Sequence, residues 1–372
     1  MVIGINASAL SKRKGGASFY ILNITKAFAD IDNQNCYYIF ISKAMESLFG
    51  SLPPNFKLIP AAPSSVFHRL IWEQLALPFL CKKYKIDTLF SPNYTCPLFL
   101  PGIRSVVTIH DLSFFPLEKL YPLSRRLFKP IIHLSIRASD TVIAVSEFTK
   151  KDILRYIGPF EHKIKVIYEA ADQRFNGPAS QKLIDEIKSF YKIPGKYILF
   201  TGFLEPRKNL ERLLQAFATV RKEIGHYLVI SGGEGWWYDT TYQKVKDLGL
   251  EKDVIFTGYV SDDHLPALYS GATLFAFPSL YEGFGIAALE SICCGTPVLA
   301  SNNTALPEVV CDAGILVDPY DVKSIESGIL QLSLSEEKRK KLIGNCQKIK
   351  SKFNWHKTSS QTLEVLSNRK CQ

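Results

Sequence analysis

The stretch YEGFGIAALESICCGTPVLAS, residues 281–301, decides how this chain is read. It sets two carboxylates, Glu282 and Glu290, with seven residues between them, around a Gly-Phe-Gly turn that opens a helix. The residues before it, ATLFAFPS (272–279), read as a buried strand, and AALESICC after the turn has helical apolar spacing. A helix that starts at glycines presents backbone N–H groups and the positive end of its dipole, which suits a diphosphate or the polar rim of a sugar. Eight helical steps span ~12 Å, so the two carboxylates can hold hydroxyls at different points along one extended ligand. The plainer reading makes Glu282 a first-turn acid and Glu290 an exposed helix residue. The apolar residues around both argue against it, because an isolated acid in such surroundings needs a partner.

Outward from this stretch, short apolar runs alternate with helical patterns along the whole chain. Strands are expected at 2–6, 36–41, 56–59, 87–90, 105–109, 141–145 and 164–168, with helices such as 18–30, 68–84, 123–138 and 147–157 between them. The pattern restarts at about 196, with strands at 197–201, 227–231, 254–257, 273–277, 297–300 and 314–317. Such alternation predicts an α/β fold of two tandem Rossmann-like, doubly wound domains facing across a cleft. FNGPASQK and KIPGK carry the Gly and Pro of a linker near 175–196. The expected division is an N-terminal domain over 1–190, a C-terminal domain over 191–352, and a helix over 353–372 that packs back on the first domain. In open parallel sheets ligands sit beyond the carboxyl ends of the strands, and each motif below follows a predicted strand.

With 372 residues, 47% hydrophobic, the chain holds enough apolar material for two cores. Its net charge of +10 fits an anionic membrane face or phosphorylated substrates. Nucleic acid is not expected as a partner: the basic residues come in short clusters and no zinc-finger or RNP signature occurs. The eight cysteines, including adjacent Cys293 and Cys294, show no metal or disulfide spacing, which fits a reducing cytoplasm. MVIGINASAL reads as a first strand rather than a signal peptide, and no apolar stretch reaches 18 residues, so no membrane span is expected.

Four further motifs carry chemistry. In TGFLEPRKNLERLLQAF (201–217), a strand ends at Thr201-Gly202 and a helix begins near Asn209, so Arg207 and Lys208 lie where a strand meets a helix N-terminus. A guanidinium fork and an ammonium point charge suit a diphosphate, whereas as plain surface cations they would be disfavoured by the helix dipole. In VTIHDLSFF (107–115), His110 follows a strand beside Asp111 and can polarise a hydroxyl or leaving group; a structural histidine is the alternative. In SKRKGGASFY (11–20), Gly15-Gly16 before a helix lets backbone approach a phosphate, or forms a plain turn. In FTGYVSDDHLPALYSGA (256–272), Ser261 or Asp262 is expected to cap the next helix while the loop backbone meets a base edge. Asp30-Ile31-Asp32 matches a DxD metal pattern but reads as a solvated helix end, and GGEG (232–235) lacks the spacing of a phosphate loop.

With these motifs in place the chain resembles the retaining glycosyltransferases of family 4, which have the GT-B fold. The resemblance runs along almost the whole chain through the E-x7-E segment (282–290), CGTPV (294–298), FLEPRKN (203–209), GYVSDDHL (258–265) and VSEFTKKDI (145–153). RLIWEQLALP (69–78) with TIHDLSFF (108–115) looks like the bacterial mannosyltransferases that build O-antigen and related polysaccharides. The resemblance implies that Glu290 holds ribose hydroxyls, and that Glu282 with backbone at Gly283, Phe284, Gly285 and Ile286 holds the donor sugar. It implies that Arg207 and Lys208, beside Gly202, neutralise the leaving diphosphate, that His110 contacts the sugar, and that Val260 offers backbone to the base. His110, Glu282, Arg207 and Lys208 form the implied catalytic set, with Gly15 and Gly16 in the donor site.

Also implied are a nucleotide-sugar donor, GDP-mannose ahead of a UDP-sugar, and a glycan or lipid-linked glycan acceptor, with no metal or other cofactor. The implied setting is cytoplasmic, with peripheral contact at the inner face of the plasma membrane, for which the basic and apolar LSRRLFKPIIHLSIR (123–137) is a candidate. Where many relatives carry an Arg after the glycine pair, this chain has Ser18 and Phe19, and Lys12, Arg13 and Lys14 are candidate substitutes. Competing readings are an epimerase or phosphorylase of the same architecture, and a nucleotide-sugar-binding subunit without turnover.

Overall fold

The computed structural model describes residues 1–11 and 15–368. The chain forms two compact units, the first from Met1–Pro116, Leu123–Ala170 and the segment from Asn354 onward, the second from Leu117–Pro122 and Ala171–Phe353.

The first unit contains, in order, β1 (Val2–Asn6), α1 (Gly16–Ile31), β2 (Cys36–Phe40), β3 (Phe56–Ile59), α2 (Val66–Lys83), β4 (Thr88–Ser91), β5 (Arg104–Ile109), α3 (Leu123–Arg126), α4 (Lys129–Ala138), β6 (Thr141–Ala144), α5 (Glu147–Tyr156) and β7 (Ile164–Val166). Its strands pair in parallel in the order β3-β2-β1-β4-β5-β6-β7. The second unit contains α6 (Gln181–Phe190), β8 (Tyr197–Thr201), α7 (Leu210–Ile224), β9 (Tyr227–Ser231), α8 (Asp239–Asp247), β10 (Val254–Gly258), α9 (Leu265–Ser270), β11 (Leu274–Phe277), α10 (Ile286–Cys293), β12 (Val298–Ser301), α11 (Leu306–Val310), β13 (Gly314–Val317), α12 (Val322–Leu334) and α13 (Glu336–Lys352). Its parallel sheet runs β10-β9-β8-β11-β12-β13. The last helix, α14 (Trp355–Ser367), belongs to the first unit.

Strands covered on both faces read as unbroken apolar runs, and every residue of β4, β6, β8, β11 and β12 is buried. Helices bury one stripe: on α7 it is Leu210, Leu213, Leu214, Phe217, Val220 and Ile224, and the helix stops at Gly225 in the left-handed region. In the first unit, α1 and α14 share one core layer, where Val365 and Leu366 pack with Tyr20, Ile21 and Ile24. Leu77 and Cys81 of α2 pack with Phe40, Ile86 and Leu89, and α4 and α5 close a third cluster around Val107 and Ile109.

Three expectations are corrected. The stretch 175–196 is not a plain linker: Ser180 caps α6 by accepting from the Leu183 N–H, and α6 buries Ile184 and Ile187. The glycines and prolines that signalled a linker flank this helix. Because α6 packs on α9 and the Ala179 N–H donates to Ser270 Oγ, residues from 171 belong to the second unit, not from 191. The helix read over 123–138 breaks between α3 and α4, where Pro130 occupies the first turn of α4.

Candidate active site

In the second unit the strand order reverses between β8 and β11, the place where an open α/β sheet leaves a crevice at its carboxyl edge. Arg207 and Lys208 sit in a short helical turn after β8, and Glu282 lies after β11. They meet there. Lys208 Nζ is 2.7 Å from Glu282 Oε1, and Arg207 Nη1 donates to the same oxygen at 3.2 Å and to the Tyr281 carbonyl at 3.2 Å. Arg207 Nε donates to Glu205 Oε2 at 3.0 Å. The cations are thus held by two carboxylates, one of which, Glu205, was not singled out from sequence. The signal was adjacency: Glu205 lies in the same EPRK turn.

Lys208 and Glu282 are both buried. Burial raises the Glu282 carboxyl, but Lys208 and Arg207 outweigh it and hold the carboxyl below its usual range. Burial, then the neighbouring Arg207, lowers the Lys208 ammonium against the pull of Glu282. Burial pushes Glu205 up. Asn209 fixes the turn: in the left-handed region at φ 60°, it donates from Nδ2 to the Pro278 and Pro319 carbonyls.

Gly285 caps α10 at φ 97°, and a Cβ there would lie 2.6 Å from Leu306 Cδ2. Glycine is therefore required, and the first turn of α10 starts where the Gly-Phe-Gly segment predicts. Gly283 and Phe284 are buried with the turn, and Ile286 is half-buried as the first helical residue. Eight residues after Glu282, Glu290 accepts from Tyr269 OH at 3.0 Å, and Tyr269 OH is 2.7 Å from Thr201 Oγ1 at the end of β8. Glu290 keeps part of its surface open, yet burial pushes its carboxyl up to about 8. Tyr269 and Thr201 lie within apolar patterns and carried no signal of a polar role.

Val260 is buried in the loop after β10. The expected cap there is corrected: α9 has no side-chain cap, and Asp262 pairs at 3.2 Å with Arg174, which is also bound to Asp172. Gly202, at φ 138°, lies against Gly232, where a Cβ would come within 1.9 Å of the Gly202 carbonyl oxygen. The GGEG segment is thus explained by close packing of two loops.

In the first unit, His110 follows β5. Its Nδ1 is 2.6 Å from Glu169 Oε1 and its Nε2 is 2.9 Å from the Pro92 carbonyl. Asp111, the neighbour expected to partner it, instead accepts from the Ser113 N–H and hydroxyl. Burial pulls the imidazole down, but the hydrogen bond and charge of Glu169, the Pro92 carbonyl and the charge of Asp111 outweigh it, so its pKa is raised. The Pro92 carbonyl can only accept, so Nε2 carries a proton, and an ionised Glu169 favours a second proton on Nδ1. The ring stands edge-on to Tyr20 at 4.9 Å and Tyr94 at 5.5 Å. Glu169 lies after β7, a position that only the topology reveals.

Gly15 precedes α1 and Gly16 opens it, with nothing near either position where a Cβ would stand. Ser18 is buried and accepts from the Ser11 N–H. Lys12, Arg13 and Lys14 lie outside the described residues. Asp32 is not a solvated helix end: it is buried and accepts from Tyr37, Asn35 and the Gln34 N–H, so its oxygens serve the turn before β2. No helix among the described residues is long and apolar enough to cross a membrane.

Residues 184–349 match the family described as glycosyl transferases group 1, and residues 14–174 match glycosyltransferase family 4. The chain is 33% identical over 287 residues to O-antigen chain mannosyltransferase B of Escherichia coli, covering 76% of this chain and 75% of that protein. It is 27% identical over 342 residues to the O-antigen chain mannosyltransferase RfbU of Salmonella typhimurium, covering 87% and 89%. In fold it is similar to a sucrose-phosphate synthase of Thermosynechococcus elongatus, with a TM-score of 0.81, 20% identity and 98% of each chain covered. It is also similar to the Anabaena protein HepE solved with UDP and glucose, with a TM-score of 0.79, 20% identity and 99% of each chain covered.

Proposed function

The chain belongs to glycosyltransferase family 4, with the GT-B fold, and we propose that it moves mannose from GDP-mannose, with retention, onto a glycan or lipid-linked glycan acceptor in polysaccharide or lipopolysaccharide synthesis. The observation that carries this reading is the meeting of Arg207, Lys208 and Glu282 at the β8–β11 reversal, beside the glycine-capped start of α10. The two relatives named as O-antigen mannosyltransferases support mannose as the sugar.

In this reading the donor diphosphate lies against Arg207 and Lys208, competing with Glu282 and Glu205 for them. When the bond from the anomeric carbon to the phosphate oxygen breaks, negative charge grows on that oxygen and the two cations stabilise it. The acceptor hydroxyl attacks from the face the phosphate leaves and passes its proton to the departing phosphate oxygen, so configuration is kept. Catalysis is then positioning and electrostatic stabilisation by groups fixed before the reaction begins. Glu290, held by Tyr269, takes the ribose hydroxyls; backbone N–H groups at Gly283, Phe284, Gly285 and Ile286 face the sugar, and backbone at Val260 faces the base. His110, whose protonated form Glu169 favours, contacts the sugar. Localisation at the cytoplasmic membrane face belongs to the same reading.

The test is calorimetric titration with GDP-mannose, UDP-glucose, UDP-N-acetylglucosamine, GDP and UDP, followed by product analysis with and without an oligosaccharide acceptor. Selective binding of GDP-mannose and an α-linked product support the reading. A preference for a UDP-sugar replaces the donor and leaves the transfer. Binding with no transfer to any acceptor, or sugar isomerised without one, overturns it.

A further inference from the structure

Helix α2 buries one stripe, Glu73, Leu77 and Cys81. Leu77 and Cys81 pack with apolar residues of the first sheet, but Glu73 is an acid and is fully buried. Arg69, one helical turn earlier, is near enough to favour the charged form, yet it makes no ion pair with Glu73. Burial wins over that charge and over the hydrogen bonds, so the carboxyl is raised from its usual range. An apolar side chain would fill this position without the cost of desolvating a carboxylate, so packing alone does not call for an acid.

The hydrogen bonds do call for one. Glu73 Oε2 accepts from Asn6 Nδ2 at 2.8 Å and from Thr95 Oγ1 at 3.1 Å. Asn6 is the last residue of β1, and its Oδ1 accepts from the Ser8 hydroxyl at 2.6 Å, in the loop that leads to Gly15 and α1. Thr95 lies in the loop after β4. Gln74 holds the same loop further along: its Nε2 donates to the Cys96 carbonyl at 3.1 Å, and its Oε1 accepts from the Leu98 N–H at 2.9 Å. Gln74 Nε2 also reaches Glu73 Oε1 at 3.3 Å, which joins the two side chains.

The loop after β4 begins with Pro92, whose carbonyl accepts from His110 Nε2 at 2.9 Å. It is tied to β5 as well, since the Tyr94 N–H donates to the Thr108 carbonyl at 2.9 Å. One carboxylate thus connects α2, the end of β1 and the loop that orients the His110 ring. A carboxylate accepts from several directions at once, so it can tie two loops that no single backbone group spans, and a buried network of this kind selects one arrangement of its members.

We propose that Glu73 and Gln74 are positioning residues for sugar transfer: from beneath the carboxyl edge of the first sheet they fix the loops after β1 and β4, and through the Pro92 carbonyl they fix the direction of the His110 ring. Neither side chain bonds His110 itself. The inference rests on the reading in which His110 contacts the sugar. It also gives the WEQ of RLIWEQLALP (69–78) a physical role, with the acid turned to the sheet and the amide beside it turned to the loop.

The test compares Glu73→Leu, Glu73→Gln and Thr95→Val in the full chain. The His110 Nε2–H signal is followed by NMR with ring-labelled histidine and assigned by its loss in His110→Gln. Glu73→Leu should displace that signal and lower kcat for transfer from GDP-mannose to an oligosaccharide by about ten- to a hundredfold, with calorimetric GDP affinity within about twofold of wild type. Glu73→Gln keeps an oxygen for Asn6 and Thr95, so it should restore the signal and bring kcat back to within about threefold. Thr95→Val removes only the hydroxyl bond from the loop and should displace the signal in the same direction; it decides the matter if Glu73→Leu does not fold. An unmoved His110 signal in Glu73→Leu, or in Thr95→Val where the first variant fails to fold, overturns the proposal, because Glu73 then serves the fold alone. So does a kcat left at the wild-type value by a displaced ring. A wrong donor shows differently, as a wild type that transfers nothing from GDP-mannose, while the NMR comparison still decides whether Glu73 positions His110.

Discussion

At the residue scale, Lys208 and Glu282 hold each other in a buried place, so removing either alone mixes two effects. Lys208→Met leaves the buried Glu282 carboxylate with Arg207 alone of its two cations and should destabilise the second unit by about 1–3 kcal/mol. Adding Glu282→Gln removes that charge, and the double variant should regain most of the melting temperature. Turnover should stay lower by about 10²–10³ because the leaving diphosphate lacks one of its two cations. If activity returns with stability in the double variant, Lys208 is structural only. His110 and Glu169 give a second test. The raised folded pKa of His110 stabilises the fold fully below the unfolded histidine value, and that contribution is lost as pH rises through the folded pKa. Glu169→Gln keeps an acceptor but removes the charge, so the ring should titrate at lower pH. The variant's transfer should therefore fall off at lower pH than the wild type's, with the two converging toward acid pH. Superimposable pH–rate profiles would remove the imidazolium charge from the mechanism. Sequence named His110, Arg207, Lys208, Glu282 and Glu290 because each follows a strand or a glycine turn. It did not name Glu169, Glu205, Tyr269 or Arg174, whose roles arise from partners distant in sequence or from a turn already claimed by cations.

At the element scale, the strands were legible because burial on both faces makes them short apolar runs, and β1, β8 and β9 begin and end where the runs do. Helices α6 and α13 were missed for a shared reason. In α6 only Ile184 and Ile187 are buried, and in α13 only Cys346 and Ile349, among many charges. Such helices are held by caps and by two side chains each, too little for a periodic signal. The turn into α10 shows the opposite case, where one residue type carries the geometry. Gly285→Ala places a methyl group against Leu306 in a backbone region that costs non-glycine residues about 1–3 kcal/mol. The variant should lower the melting of the second unit and weaken donor binding together. Gly16→Ala, in the first turn of α1 with open space around it, should be neutral or stabilise by up to ~1 kcal/mol. Thermal melts of the two variants decide; equal effects would mean that the φ of 97° at Gly285 carries no strain.

At the scale of the whole molecule, the alternation of strands and helices and its restart revealed two doubly wound units, but not how the chain is shared between them. The first unit is closed by the far end of the sequence. Leu366 is fully buried in its core, Thr358 Oγ1 donates to the Tyr168 carbonyl at 2.8 Å, and Thr88 Oγ1 donates to the Leu366 carbonyl at 3.2 Å. A fragment of residues 1–170 therefore keeps all seven strands of its sheet yet lacks α14, leaving the layer around Tyr20 and Ile24 uncovered. Burying that surface outweighs the entropy of ordering one helix only when the rest of the unit is in place, because an isolated 13-residue helix is marginal in water. The fragment alone should expose apolar surface and bind a hydrophobic dye, and adding a peptide of residues 354–372 should restore a cooperative melt. Leu366→Ala in the full chain should cost about 2–5 kcal/mol and lower the first unit's transition selectively. A fragment 1–170 that melts as cooperatively as the intact first unit would show that α14 only rests on a core complete without it.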